Sequence, residues 1–162
     1  MEFILQPSAT IRPNSPISHV VIRVHPQQHD LSQVWVLASL VSEDGSEVLA
    51  PPRTDLLGGK PASSLYLENG NENASGYAIF QGLSIRQVGK YKLRMSLISM
   101  EHGSINLGTI DSQVIEASNG ASVGQKGGCK RIQDRKGSDA VSAVAAQQII
   151  EDLRRRGVPI NG

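Results

Sequence analysis

Cysteine is almost absent from this chain: Cys129 stands alone among 162 residues. One cysteine excludes an internal disulfide and any metal centre built on several thiolates. Aromatic residues make up only 4%, so the core has to come mainly from Val, Ile, Leu and Ala. No apolar run approaches the roughly 18 residues that a membrane-spanning helix needs. The N-terminal "MEFILQPSA" has no basic n-region and a very short apolar stretch, which does not read as a signal peptide. A soluble, intracellular protein of a reducing compartment is therefore expected. Net charge is also nearly absent, at +1. Whole-molecule charge gives no argument for nucleic acid, and only its distribution can.

That distribution is uneven. Residues 126 to 156 hold eight cations against four acids (Asp134, Asp139, Glu151 and Asp152), whereas Pro26 to Gln125 is net acidic. The length suits one domain with a tail, and a domain of this size buries about two-thirds of its unfolded surface.

Strand signals dominate what is present. Ile17, Val20, Ile22 and Val24 mark a strand over 17 to 24, closed by Pro26. Pro7, Pro13 and Pro16 make residues 1–16 an extended arm. In "VWVLASLVSEDGSEV", Val34, Val36, Ala38 and Leu40 fall on one face and Trp35, Leu37 and Val41 on the other. That pattern predicts a strand buried on both faces, ending in an Asp44-Gly45 hairpin. "SSLYLE" at 63 to 68 reads as a short strand in a loop region, and "NGNENASG" as a turn cluster.

The block "GYAIFQGLSIRQVGKYKLRMSL", 76 to 97, has four cations (Arg86, Lys90, Lys92 and Arg94) and no acid. Tyr77 and Ile79 oppose Ala78 and Phe80, Gln81-Gly82 breaks the alternation and Val88-Gly89 turns the chain. Tyr91, Leu93, Met95 and Leu97 then alternate with Lys92, Arg94 and Ser96, a strand with one dry and one wet face. "GTIDSQVIEA", 108 to 117, is a further strand. Six to eight short strands with regular turn signals imply an antiparallel β-sandwich.

Residues 118–137 read as a Gly-rich basic loop. Ser138 or Asp139 can cap a helix over about 139–156. Val141, Val144, Ala145, Ile149 and Leu153 form its apolar face. Arg154, Arg155 and Arg156 suit its C-terminal dipole, and Gly157 and Pro159 end it.

Sequence motifs for catalysis fail one by one. The histidines are His19, His25, His29 and His102, and Pro26 breaks the only i,i+4 pair. Gly59-Lys60 fails the phosphate-loop pattern, since Thr54 and Pro61 occupy positions that need Gly and Ser/Thr. Cys129 sits among lysines, but nothing in the spacing supplies a base or an orienting group. Asn73-Ala74-Ser75 matches a glycosylation sequon in a chain with no secretion signal. No enzyme, metal site, cofactor or small-molecule substrate is expected, nor a membrane.

The cations carry the remaining functional signal. Lys92 and Arg94 share a strand face, which suits phosphates or plain solvent, and no aromatic is interleaved for base stacking. Lys126, Lys130, Arg131, Arg135 and Lys136 lie on the Gly-rich loop, where no structural demand explains five cations. They are candidate phosphate contacts, supplying affinity without sequence readout. A solvated linker is the alternative.

The order of motifs resembles the fungal velvet family of developmental regulators. "GYAIFQGLSIRQVGKYKLRMSLISME" matches that family's signature block: a Gly-aromatic strand, "F-x-x-L-S-I-R", a Gly turn, then "Y/F-x-L-R-x-S-L". "VWVLASLVSEDGSE", "PASSLYLENG" and the helix ending "RRRGVPI" are similar to further family segments, so the likeness covers most of residues 17 to 160. The resemblance implies a mainly β protein, an antiparallel sandwich of Rel-homology type with one C-terminal helix, as a single domain over 17–160 after the arm. It implies a nuclear transcription regulator of fungal development, sporulation and secondary metabolism, either resident in the nucleus or shuttling with the cytoplasm. Its partners would be other velvet-domain proteins, as homodimer or heterodimer, and DNA. In the arm "LQPSATIRPNSPI" the match to the family's DNA-contacting segment leaves one cation, Arg12. DNA binding is accordingly expected from this chain or from its partner. The alternative is a β-sandwich interaction module that titrates velvet partners without binding DNA.

Overall fold

Alternation at 91 to 97 produces the strand on which the fold is built. In the computed structural model, which describes residues 1–25, 31–51, 53, 55–67, 75–101, 103–120, 148 and 150–155, Tyr91, Leu93, Met95 and Leu97 are buried. Lys92, Arg94, Ser96 and Ile98 between them are half-buried. The strands in chain order are β1 (Glu2–Leu5), β2 (Thr10–Ile11), β3 (Val20–Val24), β4 (Val34–Ser42), β5 (Val48–Ala50), β6 (Leu57–Gly58) and β7 (Ala62–Ser64). They continue with β8 (Tyr66–Leu67), β9 (Gly76–Phe80), β10 (Ser84–Ile85), β11 (Gly89–Ser99), β12 (Ile105–Asp111) and β13 (Ile115–Ala117).

Two sheets face each other. One has the order β1-β3-β9-β8. The other runs β2-β13-β11-β4-β5, with β12 pairing β11 and β7 pairing β4. Val20, Ile22, Ala78 and Phe80 from the first meet Val36, Ala38, Leu40, Leu93, Met95 and Ile115 from the second in one core. This is the mainly antiparallel β-sandwich that the sequence predicts. Its pairing is antiparallel except where β2 runs parallel to β13.

The predicted strand at 108 to 117 is two strands along one edge of β11. Between them Ser112 stands in for the missing ladder: its N–H donates to the Leu93 carbonyl at 2.8 Å, and its Oγ accepts the Leu93 N–H at 2.9 Å. The buried hydroxyl spares a core backbone amide from going unpaired. The Asp44-Gly45 hairpin forms as read, with Gly45 at φ 77 and Ser42 N–H bonded to Glu47 O. The Ser42 hydroxyl, with the Ser46 N–H, holds the Asp44 carboxyl at about 2. "SSLYL" divides: β7 joins β4 and β8 joins β9, so the chain crosses between sheets at Leu65.

Two readings differ from the structure, and a third is extended by it. The sequence pattern predicts burial on both faces of β4; Val41 on the second face is buried, but Trp35 and Leu37 are 43% and 39% exposed. The doubly covered strands are β3 and β9 instead. Their outer residues Val21 and Tyr77 lie under Leu153 and Ile150 of the C-terminal helix, with Leu5 at the margin. Residues 148 and 150–155 are helical, and Ile150, absent from the predicted apolar face, is one of its packing residues. Finally, the arm is bonded into both sheets. β1 pairs with β3, while β2 and the Ala9 carbonyl pair with β13. Arg23 and His25 both reach the Glu2 carboxylate.

Val141, Val144, Ala145 and the side chain of Ile149, the capping residues Ser138 and Asp139, and Arg156, Gly157 and Pro159 lie outside the described residues.

Candidate nucleic-acid interface

A third, small sheet beside the two large ones is built from three backbone segments. β10 pairs with β6 through Ser84↔Gly58 and Ile85↔Leu57. On its other side, the chain after β2 bonds to β10: Asn14 N–H to Ile85 O at 2.8 Å, and Ile17 N–H to Leu83 O at 2.6 Å. Arg12 opens the turn on this outer segment, accepting a hydrogen bond from Ser15 N–H, with Asn14 at φ 62. Arg86 follows β10 directly, and its N–H donates to Leu56 O. Buried Ile17, Leu56, Leu83 and Ile85 fasten the patch to the core.

Two glycines shape the patch. A Cβ on Gly58 would lie 2.6 Å from Ser84 Oγ and 3.2 Å from Arg86 Nε, so the bare backbone lets the Arg86 side chain lie across β6. Gly59, at φ +95, is pressed against the Gly82 carbonyl and leads to the exposed Lys60. Among the described residues, Arg12, Lys60 and Arg86 have no acidic partner within ion-pair distance. Nearby Arg53 is bound to Asp55, which also accepts from Gln87 Nε2. Guanidinium and ammonium groups without an acidic partner among the described residues, on a hydrogen-bonded backbone, are suited to phosphate oxygens, which they contact without reading sequence.

The cations of β11 behave differently. Arg94 makes a two-pronged bond to Asp111, Nε to Oδ1 and Nη2 to Oδ2, both at 2.7 Å, and gives a third bond to Gly45 O at 2.9 Å. Lys90 pairs with Glu43 at 3.7 Å. These groups are satisfied within the domain, and among the described residues Lys92 is the member of the row with no ion pair. The row is chiefly framework.

The Arg94 bond holds the Asp111 carboxyl below its ordinary value, against the opposing effect of burial and with help from Lys92. A depressed carboxylate contributes stability that is present above its unfolded pKa of about 3.9 and is lost as pH falls through the folded value. Asp111→Asn should therefore cost about 1 kcal/mol at neutral pH. The difference from wild type should close on acidification below about pH 4. Paired denaturation curves at neutral and acid pH check this, and a deficit that persists unchanged in acid contradicts it.

Of the sequence-derived site residues, Arg12 is exposed and sits in the patch. Lys126, Lys130, Arg131, Arg135 and Lys136 lie outside the described residues. The Asn14 N–H bond to Ile85 O sets the turn of Arg12 beside Arg86, while Lys60 follows Gly59 at the Gly82 end of the β6–β10 pairing. By sequence Arg86 is an ambiguous turn cation, since its pairing with residues 12 to 17 is non-local. The readable signal is Gly58-Gly59. Among the described residues, no group of three or more His, Cys, Asp or Glu converges to hold a metal. No helix among them is long and apolar enough to cross a membrane.

Two facing sheets with a helix on one outer face define the class of the fold, a mainly antiparallel β-sandwich. A family model described as Velvet factor matches residues 12–129, which is more than half of the chain, and the chain belongs to the velvet family. The match opens on Arg12 and contains every strand from β3 to β13. No curated protein matches it.

Proposed function

We propose that this velvet-family chain is a nuclear transcription regulator of fungal development and secondary metabolism. It acts through dimerisation with velvet-domain proteins and through sequence-specific DNA binding, and has no catalytic role. The family match over residues 12–129 carries this reading. Arg12, Lys60 and Arg86, which have no acidic partner among the described residues, support a phosphate contact made by this chain itself, to which the loop cations from Lys126 onward can add.

The test is a mobility-shift titration on promoter-length DNA at low and moderate salt, with and without a velvet partner. A shift by the chain alone, weakening steeply with salt, is expected. Arg12→Ala with Arg86→Ala should weaken binding on all sequences alike and lower the salt slope by about 0.9 for each phosphate no longer neutralised. A shift seen only with the partner assigns DNA contact to the partner. Partner binding with no shift under any condition overturns the DNA reading in favour of a titrating interaction module.

A further inference from the structure

Cations grip phosphates without reading sequence. A sequence-specific contact needs a side chain that matches a base edge, and the turn that begins at Arg12 holds one. Arg12-Pro13-Asn14-Ser15 closes through Ser15 N–H to Arg12 O at 3.1 Å. Pro13 in second place and Asn14 at φ 62 in third are the type II pattern. The ring of Pro13 presets its own φ, and the Asn14 N–H is bonded to Ile85 O at 2.8 Å, which ties the turn to β10. Glycine would satisfy the positive φ in third place at no steric cost. Asparagine tolerates the same conformation and adds an amide.

That amide is exposed, and among the described residues it has no hydrogen-bond partner. Other side-chain amides near the small sheet are occupied. Gln87 Nε2 donates to Asp55 at 3.3 Å, and Gln81 is engaged within the chain. A side-chain amide sets an acceptor oxygen beside a donor nitrogen. In the major groove adenine shows the complement, its N6 amino donor beside its N7 acceptor, whereas guanine shows two acceptors. The minor-groove edge of an A·T pair also shows only acceptors, so the two-pronged match is to adenine in the major groove. That groove, about 12 Å wide, admits a two-stranded ribbon. The Arg12 segment bonded to β10 is such a ribbon, with the turn of Asn14 at its end. Exposed Arg12 stands two residues before Asn14, and exposed Arg86 directly follows its bonding partner Ile85. Amide and cations therefore share one short stretch of paired backbone.

We propose that Asn14 reads an adenine in the major groove while Arg12 and Arg86 hold the phosphates beside it. The inference rests on the DNA-binding reading above and supplies its base-reading residue.

Asn14→Gly is the informative variant, since glycine keeps the positive φ and removes only the amide. Duplexes are selected from a random library by wild type and by Asn14→Gly, with the velvet partner present where the chain alone gives no shift. Wild type should select an adenine at one fixed position. Asn14→Gly should relax that position about tenfold, while keeping wild-type affinity for mixed DNA and the wild-type salt slope. A second measurement uses the wild-type protein: 7-deazaadenine, which lacks the N7 acceptor, replaces the selected adenine. It should weaken binding by wild type and leave binding by Asn14→Gly unchanged. Thermal melts check that the variant folds as wild type does. The same selected sequence from both proteins, or wild type indifferent to 7-deazaadenine, overturns the role of Asn14 and leaves the DNA reading intact. Weakening on all sequences alike with a flatter salt slope would mean that Asn14 serves only to place Arg12, and it too overturns the base contact. No shift under any condition overturns the DNA reading itself, and this inference with it.

Discussion

Leu93→Ala should remove about 3 kcal/mol of stability, within the range of about 2–5 kcal/mol measured for large aliphatic truncations in cores. Leu93 is fully buried in the main core. It lies on β11, which pairs with β4 on one side and with β12 and β13 on the other. Its cross-strand partner Leu40 is equally buried. Its own backbone is fixed on the other side by Ser112, through the amide bond to Oγ and the carbonyl bond from Ser112 N–H. The surroundings are thus held by two ladders and cannot collapse into the space left behind, so the cavity persists and adds to the lost transfer energy. At about 2–4 °C per kcal/mol for a chain of this size, the melting temperature should fall by about 6–12 °C. Denaturant curves for Leu93→Ala, with Val48→Ala at an exposed position on β5 as the contrast, measure it. Val48→Ala should stay within about 0.5 kcal/mol of wild type. A loss at Leu93 no larger than that would mean that the two sheets do not close over β11.

The alternation that makes Leu93 a core residue is legible, because a two-residue period needs only local sequence. The Asp44-Gly45 hairpin is legible for the same reason, a turn dipeptide between two apolar runs. What fails depends on distant segments. Apolar residues on both faces of β4 read as double burial, but periodicity cannot say which face receives a second layer. The helix covers β3 and β9 instead, and Val21, Tyr77 and Ile79 on their outer faces carry that signal only once Leu153 and Ile150 are known to lie over them. The proline spacing of the arm correctly gives extended chain, yet its pairing with β3 and β13 joins residues far apart in sequence. The candidate site divides in the same way. Arg12 is found through its place in a family motif. Arg86 stays ambiguous because its neighbour in space, the turn at 12 to 15, is remote in the chain.

Gly59→Ala should cost about 3–4 kcal/mol, and Gly82→Ala about 1–2 kcal/mol, although both glycines have positive φ. The φ values are +95 at Gly59 and +69 at Gly82, so each substitution meets the left-handed penalty of an L-residue. Space separates them. A Cβ on Gly82 meets nothing within 4 Å, whereas one on Gly59 would lie 2.5 Å from the Gly82 carbonyl oxygen and 3.0 Å from Leu83 Cα. Those neighbours are backbone, and Leu83 is itself anchored, buried in the core with its carbonyl bonded to Ile17 N–H. Relief therefore has to come from moving the chain at Gly59 away from the segment that leads into β10, which loosens the Ser84↔Gly58 and Ile85↔Leu57 pairing. That pairing positions Arg86 beside the turn of Arg12. At a temperature where both variants remain folded, Gly59→Ala should weaken DNA binding and Gly82→Ala should leave it near wild type. Equal stability losses would show that the backbone at Gly82 yields at little cost. Unequal losses with equal DNA affinity would remove the β6–β10 end from the DNA-contacting surface.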